Sequence, residues 1–148
     1  MFVDAIMGVV NDPAARDRII TRARAILPWS GARCATTQSL VYHAAKGRDV
    51  RRLTLHDVWV GTDVLADMLE SHGWRRASMD QLKPGMICFS KDLGGRRGAP
   101  DHTYTFVRWH DRAAGVAMIF DNTSKRITQR NLGPGPRTPF DYALYPPI

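Results

Sequence analysis

Polar and apolar positions change rhythm about halfway along the chain. From Asp12 to Gly73 apolar residues recur at helical spacing, and from Leu82 onward they come in short runs broken by glycine and proline. Asp12-Pro13 is a helix-start signal, an acceptor side chain followed by a residue with no N–H to satisfy. Ile19, Ile20, Ala23, Ile26 and Leu27 then follow on one face, leaving Arg16, Arg18, Arg22 and Arg24 for the others. The pattern predicts a first helix that ends at Pro28. A second is expected over 35–46, with Leu40, Val41, Ala44 and Ala45 as its buried stripe and Gly47 beyond it. A third is expected over 63–72, capped by Thr62, with Val64, Leu65, Met68 and Leu69 inward.

The second half reads as strands. Leu82-Lys83-Pro84-Gly85 is a turn signal that opens the apolar run 86–89, and the glycine-rich stretch 94–100 leads into Asp101-His102 and a strand over 103–109. Residues 111–115 turn the chain back into 116–120, a shorter strand follows over 127–130, and 140–145 closes the sheet after a Gly/Pro-rich loop. Helices first and an antiparallel sheet second make an α+β fold, and 148 residues suffice for a single domain over 1–148 that buries about two-thirds of its unfolded surface.

Composition narrows the classes. Residues 2–10 are apolar apart from Asp4, too short to span a bilayer and without a charged leader, so a soluble protein without a standard secretory signal is expected, with no membrane partner. The two cysteines, Cys34 and Cys88, are too few for a zinc site and are read as free thiols. The formal charge of +7 comes from arginines scattered along the chain, a pattern that suits polyanions in general. No nucleic-acid motif accompanies it, and Gly94-Gly95-Arg96-Arg97-Gly98 lacks the strand–loop–helix setting and the Lys-Ser/Thr ending of a phosphate cradle. Neither a nucleic-acid partner nor a cofactor or metal is expected.

Chemistry concentrates at Cys34. The glycine-containing segment Trp29-Ser30-Gly31-Ala32-Arg33 places it at a helix start, where unpaired N–H groups and the positive end of the helix dipole favour a thiolate and can hold the oxyanion formed when sulfur attacks an amide carbonyl. His102, opening a strand, is the candidate base. Cys88, inside the apolar run 86–89, reads as an inert core thiol, and His43, His56, His72 and His110 sit where capping or solvated histidines are common.

The order of these features resembles the CHAP-type amidases and NlpC-like cell-wall endopeptidases, members of the papain-like superfamily. Trp29-Ser30-Gly31 matches the family's aromatic-Gly segment before the cysteine, Leu82-Lys83-Pro84-Gly85-Met86 its turn into a core strand, and Asp101-His102-Thr103-Tyr104-Thr105-Phe106-Val107 its histidine strand. Asp121 or Asn122 stands where the family has its polar third member, and Phe140 to Tyr145 where it has its final strand. The chain departs from the family at Arg33 before the cysteine, at Ala35-Thr36 after it, at Asp101 before the histidine and at Met86 in the turn.

The resemblance implies a papain-like fold, with N-terminal helices on a C-terminal sheet, and a Cys-His-Asp/Asn cysteine hydrolase cutting amide bonds in peptidoglycan stem peptides. Trp29 and Asn122 are then candidate binding residues. Delivery would be by phage lysis or a dedicated secretion machine, and an immunity or inhibitor protein is a possible partner. The same thioester chemistry would serve a transglutaminase-like or deamidase toxin acting on protein amides.

Register decides the third member. If Trp109 faces Val116 across the turn, Tyr104 faces Asp121 and His102 shares their face as a diagonal neighbour, whereas a shift of one residue sets Asn122 opposite His102. Asp121 is favoured because a carboxylate also stabilises an imidazolium, while an amide only orients the ring.

Overall fold

A computed structural model describes residues 1–28, 33–94, 98–135 and 137–147. Among them are four helices, α1 (Phe2–Val10), α2 (Pro13–Ile26), α3 (Arg33–Ala45) and α4 (Thr62–Ser71), followed by β1 (Arg75–Ala77), β2 (Ile87–Ser90), β3 (Thr103–Asp111), β4 (Val116–Phe120), β5 (Thr128–Asn131) and β6 (Phe140–Tyr145). The strands form one antiparallel sheet in the order β1-β6-β2-β3-β4-β5. The class is α+β, as the change of rhythm predicts. No helix among the described residues is long and apolar enough to cross a membrane.

Several local expectations need correction. Residues 2–10, read only for what they could not be, form α1, which buries Ile6 and Val10 one turn apart. Arg16 holds its end by donating to the Val10 carbonyl at 2.6 Å. In α2 the start is as expected: Asp12 accepts from the Ala14 N–H at 3.0 Å, with Pro13 opening the helix. In α4 Gly61, at φ 97°, is the cap residue rather than Thr62, whose hydroxyl donates to the Pro100 carbonyl at 2.6 Å. Val64 is exposed and Met68 half-buried, leaving Leu65, Ala66 and Leu69 as the buried face. The short edge strand β1 carries no alternation that would have marked it. The final strand does not close the sheet at an edge; β6 lies between β1 and β2.

Helix α3 departs most from its predicted stripe, being buried from Cys34 to His43. It packs against α1, α2, α4 and β3, so it is the central helix of the layer and has no solvated face to spare. Alternation along the strands divides the core in two. Ile87, Phe89, Val107, Phe120 and Leu144 face the helices, while Cys88, Tyr104, Phe106, Ile119 and Ala143 face the other way, covered by Leu82, Met86 and Leu132. The turn before β2 needs its glycine: Gly85 has φ 95°, and a Cβ there would lie 2.8 Å from the Val3 carbonyl oxygen, so the backbone of α1 docks directly on it.

Candidate active site

Three chain segments converge at one end of the sheet. Cys34 lies in the first turn of α3, His102 immediately precedes β3, and Asp121 immediately follows β4. His102 is fixed through its backbone by β2, since the Ser90 N–H donates to its carbonyl at 3.0 Å. Its Nε2–H donates to Asp121 Oδ2 at 2.8 Å. Cys34 lies near enough to the ring to act on its protonation. With Nε2 committed to the carboxylate, Nδ1 is the nitrogen left for sulfur. Cys34 is 6% exposed, His102 18% and Asp121 1%, so the group open to solvent is the imidazole between the two buried ones.

Asp121 is held from behind. Its Oδ1 accepts from the Thr123 N–H at 2.9 Å and from the Thr123 hydroxyl, the geometry of an Asx turn. Burial pushes its carboxyl upward, but the hydrogen bonds from His102 and Thr123 and the charge of the imidazolium outweigh that, leaving it below the ordinary carboxylate value of 3.8. For His102, burial works against the charged ring. The hydrogen bonds to Asp121 and Cys34 and their charges overcome it and raise the imidazole above its ordinary 6.5. The site therefore favours an imidazolium, the form a thiolate needs beside it.

The register behind this geometry is unexpected in one respect. Trp109 faces Ala117, not Val116, because β3 and β4 shift register between Phe106 and Arg108 and again between Trp109 and Asp111. Beyond those irregularities Thr105 pairs with Phe120. Continuing that pairing outward sets Tyr104 opposite Asp121, with His102 diagonal on the same face. The expected outcome is reached from an incorrect turn. Asn122 makes no hydrogen bond to the ring through its Oδ1, which is buried without a hydrogen-bond partner.

The remaining candidates separate. Trp29 lies outside the described residues, with the rest of 29–32. Arg33 reaches back toward Pro28, with Nη2 3.4 Å from the Pro28 carbonyl oxygen. Asp101 braces the loop before the histidine, accepting from the Gly94 N–H at 3.1 Å and from the Thr138 hydroxyl at 3.3 Å. Cys88 is fully buried and unbridged, and burial drives its thiol far above the ordinary value. His43 is neither solvated nor a cap: it is buried beside Trp59 and Tyr42, with Arg48 at 3.2 Å from Nδ1, and burial lowers its pKa.

Two contributors escaped the sequence reading. Thr123 was legible in principle, since Asp-x-Thr is an Asx-turn pattern. Gln38, whose amide bonds both β3 and β4, had only its place one turn after Cys34 to mark it. No family model matches the chain, and no curated protein or solved structure does.

Proposed function

We propose that the chain is a papain-like cysteine amidase or endopeptidase that hydrolyses amide bonds in peptidoglycan stem peptides through a thioester. The observation that carries the chemistry is the 2.8 Å hydrogen bond from His102 to Asp121, with Cys34 in the first turn of α3 close enough to act on the ring's protonation. Sulfur of Cys34 attacks the amide carbon, and its proton resides on His102. The oxyanion is held by N–H groups of the first turn of α3, which have no partner inside the helix. The C–N bond then breaks as His102 gives its proton to the leaving amine. Water, deprotonated by His102, attacks the thioester, the C–S bond breaks and the acid is released. Asp121 keeps the ring in the required tautomer and offsets its charge through both steps.

The choice of peptidoglycan is supported by the order of motifs shared with cell-wall amidases and by the net charge of +7, which favours an acidic polymer. Incubation with purified peptidoglycan should release soluble peptide fragments, identified by mass, that are absent with Cys34→Ala and that decline in rate as salt rises. Conversion of protein glutamine without any peptidoglycan product would transfer the assignment to a deamidase or transglutaminase.

A further inference from the structure

The polar side chains buried along α3 are not met alike. The hydroxyls of Thr36 and Thr37 have no hydrogen-bond partner, whereas both ends of the Gln38 amide are engaged by the sheet. Gln38 Nε2 donates to the Phe120 carbonyl at 3.0 Å, and Gln38 Oε1 accepts from the Thr105 hydroxyl at 2.5 Å. Gln38 and Thr105 are both 0% exposed.

Thr105 and Phe120 are direct cross-strand partners, the outermost pair of the β3–β4 ladder on the side of the site. Asp121 is the next residue after Phe120, and His102 precedes β3. Away from the site, the ladder shifts register twice within a few residues. A slip of one residue at the near end would carry Asp121 to the opposite face of the sheet and bring Asn122 toward His102. Leucine or methionine would fill the same volume without requiring any partner. A buried amide is at ease only when the helix turn, the Thr105 hydroxyl and the Phe120 carbonyl are all in place together, because each unmet bond leaves a desolvated polar group.

We propose that Gln38 is a positioning residue: it clamps the helix that carries Cys34 to the strand pair that fixes the His102–Asp121 register, so that sulfur meets a ring already held by its carboxylate. The inference rests on Cys34 and His102 acting together, but its readouts need no substrate.

The test uses Gln38→Met, which keeps the volume and removes both bonds. In the folded protein at pH 7, iodoacetamide should alkylate Cys34 about tenfold more slowly than in wild type, the scale expected when reacting groups lose alignment. By NMR, the His102 imidazole should titrate at lower pH than in wild type. Combining Gln38→Met with Thr105→Val removes the stranded hydroxyl as well, so the urea unfolding midpoint should recover toward wild type while neither site readout does. Loss of stability in Gln38→Met with wild-type alkylation and wild-type His102 titration would make the residue ordinary core and overturn the proposal, as would restored reactivity in the double variant. Should Gln38→Met fail to fold, Thr105→Val alone removes one of the two bonds with little change of shape, and wild-type readouts there overturn the proposal equally. A wild-type Cys34 no more reactive than Cys88 would count against the catalytic reading of the site, and the His102 titration in Gln38→Met would still decide the clamp.

Discussion

The two thiols of this chain have nearly the same exposure and opposite surroundings. Cys34 is 6% exposed and Cys88 0%, and neither is bridged. Cys34 begins a helix near an imidazole that is backed by a carboxylate and whose protonation it influences. Cys88 sits mid-strand between Tyr104 and Ala143, and burial raises its thiol far beyond what the nearby charge of Arg130 can pull back. Depth therefore says little about which sulfur can react; a proton acceptor and a positive local field do.

The largest expected effect breaks or upholds that contrast. Cys34→Ala should lower turnover by more than about a thousandfold, roughly 4 kcal/mol of barrier, while leaving the fold intact. Cys88→Ala should keep turnover within about twofold and lose ~1–2 kcal/mol of stability through a small cavity. Iodoacetamide on the folded protein should label Cys34 and spare Cys88 until denaturant is added, with peptide mass mapping as the check. First labelling of Cys88 would invert the comparison.

Next in size is the carboxylate behind the ring. Asp121→Ala should reduce turnover at least about tenfold, or 1.4 kcal/mol. Because Asp121 accepts from His102 and twice from Thr123 in a buried position, the same change should also cost ~1–3 kcal/mol of unfolding free energy. Activity must therefore be measured per folded molecule, for instance by normalising to the unfolding curve. Wild-type turnover in Asp121→Ala would leave a Cys-His dyad.

That carboxylate also shows where the sequence was legible and where it was not. Helix starts with local chemistry, such as Asp12-Pro13, and the strands over 116–120 and 140–145 could be placed because their signals lie within a few residues. The tertiary setting could not. That α3 is buried on every side depends on α1, and the place of β6 between β1 and β2 is a pairing between distant segments. A regular turn would fix the register of β3 and β4 all the way to the site, but two irregularities lie between that turn and the site. Asp121 still meets His102 because the two ends of the hairpin are not in the same register. A local pattern predicts the face of a residue within an uninterrupted ladder and cannot count the bulges on the way.

A smaller effect follows from protonation. His102 is raised above its ordinary 6.5 despite burial, through Asp121 and Cys34, so the basic limb of kcat/KM, where the imidazolium loses its proton, should lie above that value. Asp121→Asn removes the opposing charge and should move the limb to lower pH. The sign for stability is consistent. The His102 contribution is full below about 6.5 and fades as pH rises through the higher folded value. The Asp121 contribution is full above about 3.8 and fades as pH falls through the lower folded value. The pair thus stabilises the fold most in the range between these limits. A basic limb that stays in place in Asp121→Asn would mean that Asp121 orients the ring without affecting its charge.

The smallest expected change is at the neighbour that sequence reasoning left in competition. Asn122 has a buried Oδ1 with no hydrogen-bond partner. Removing an acceptor that makes no bond in the folded state, but is hydrated in the unfolded one, relieves a desolvation cost instead of losing an interaction. Asn122→Ala should therefore hold turnover within about twofold of wild type, less than 0.5 kcal/mol of barrier. Its stability should be equal or slightly higher, read as the midpoint of urea unfolding. Set beside Asp121→Ala, the pair of variants reports register directly, because adjacent strand-end residues face opposite ways and only one can serve the ring. If Asn122→Ala lost tenfold while Asp121→Ala did not, the ladder near the site would be displaced by one residue from Thr105–Phe120, and the amide rather than the carboxylate would be orienting His102.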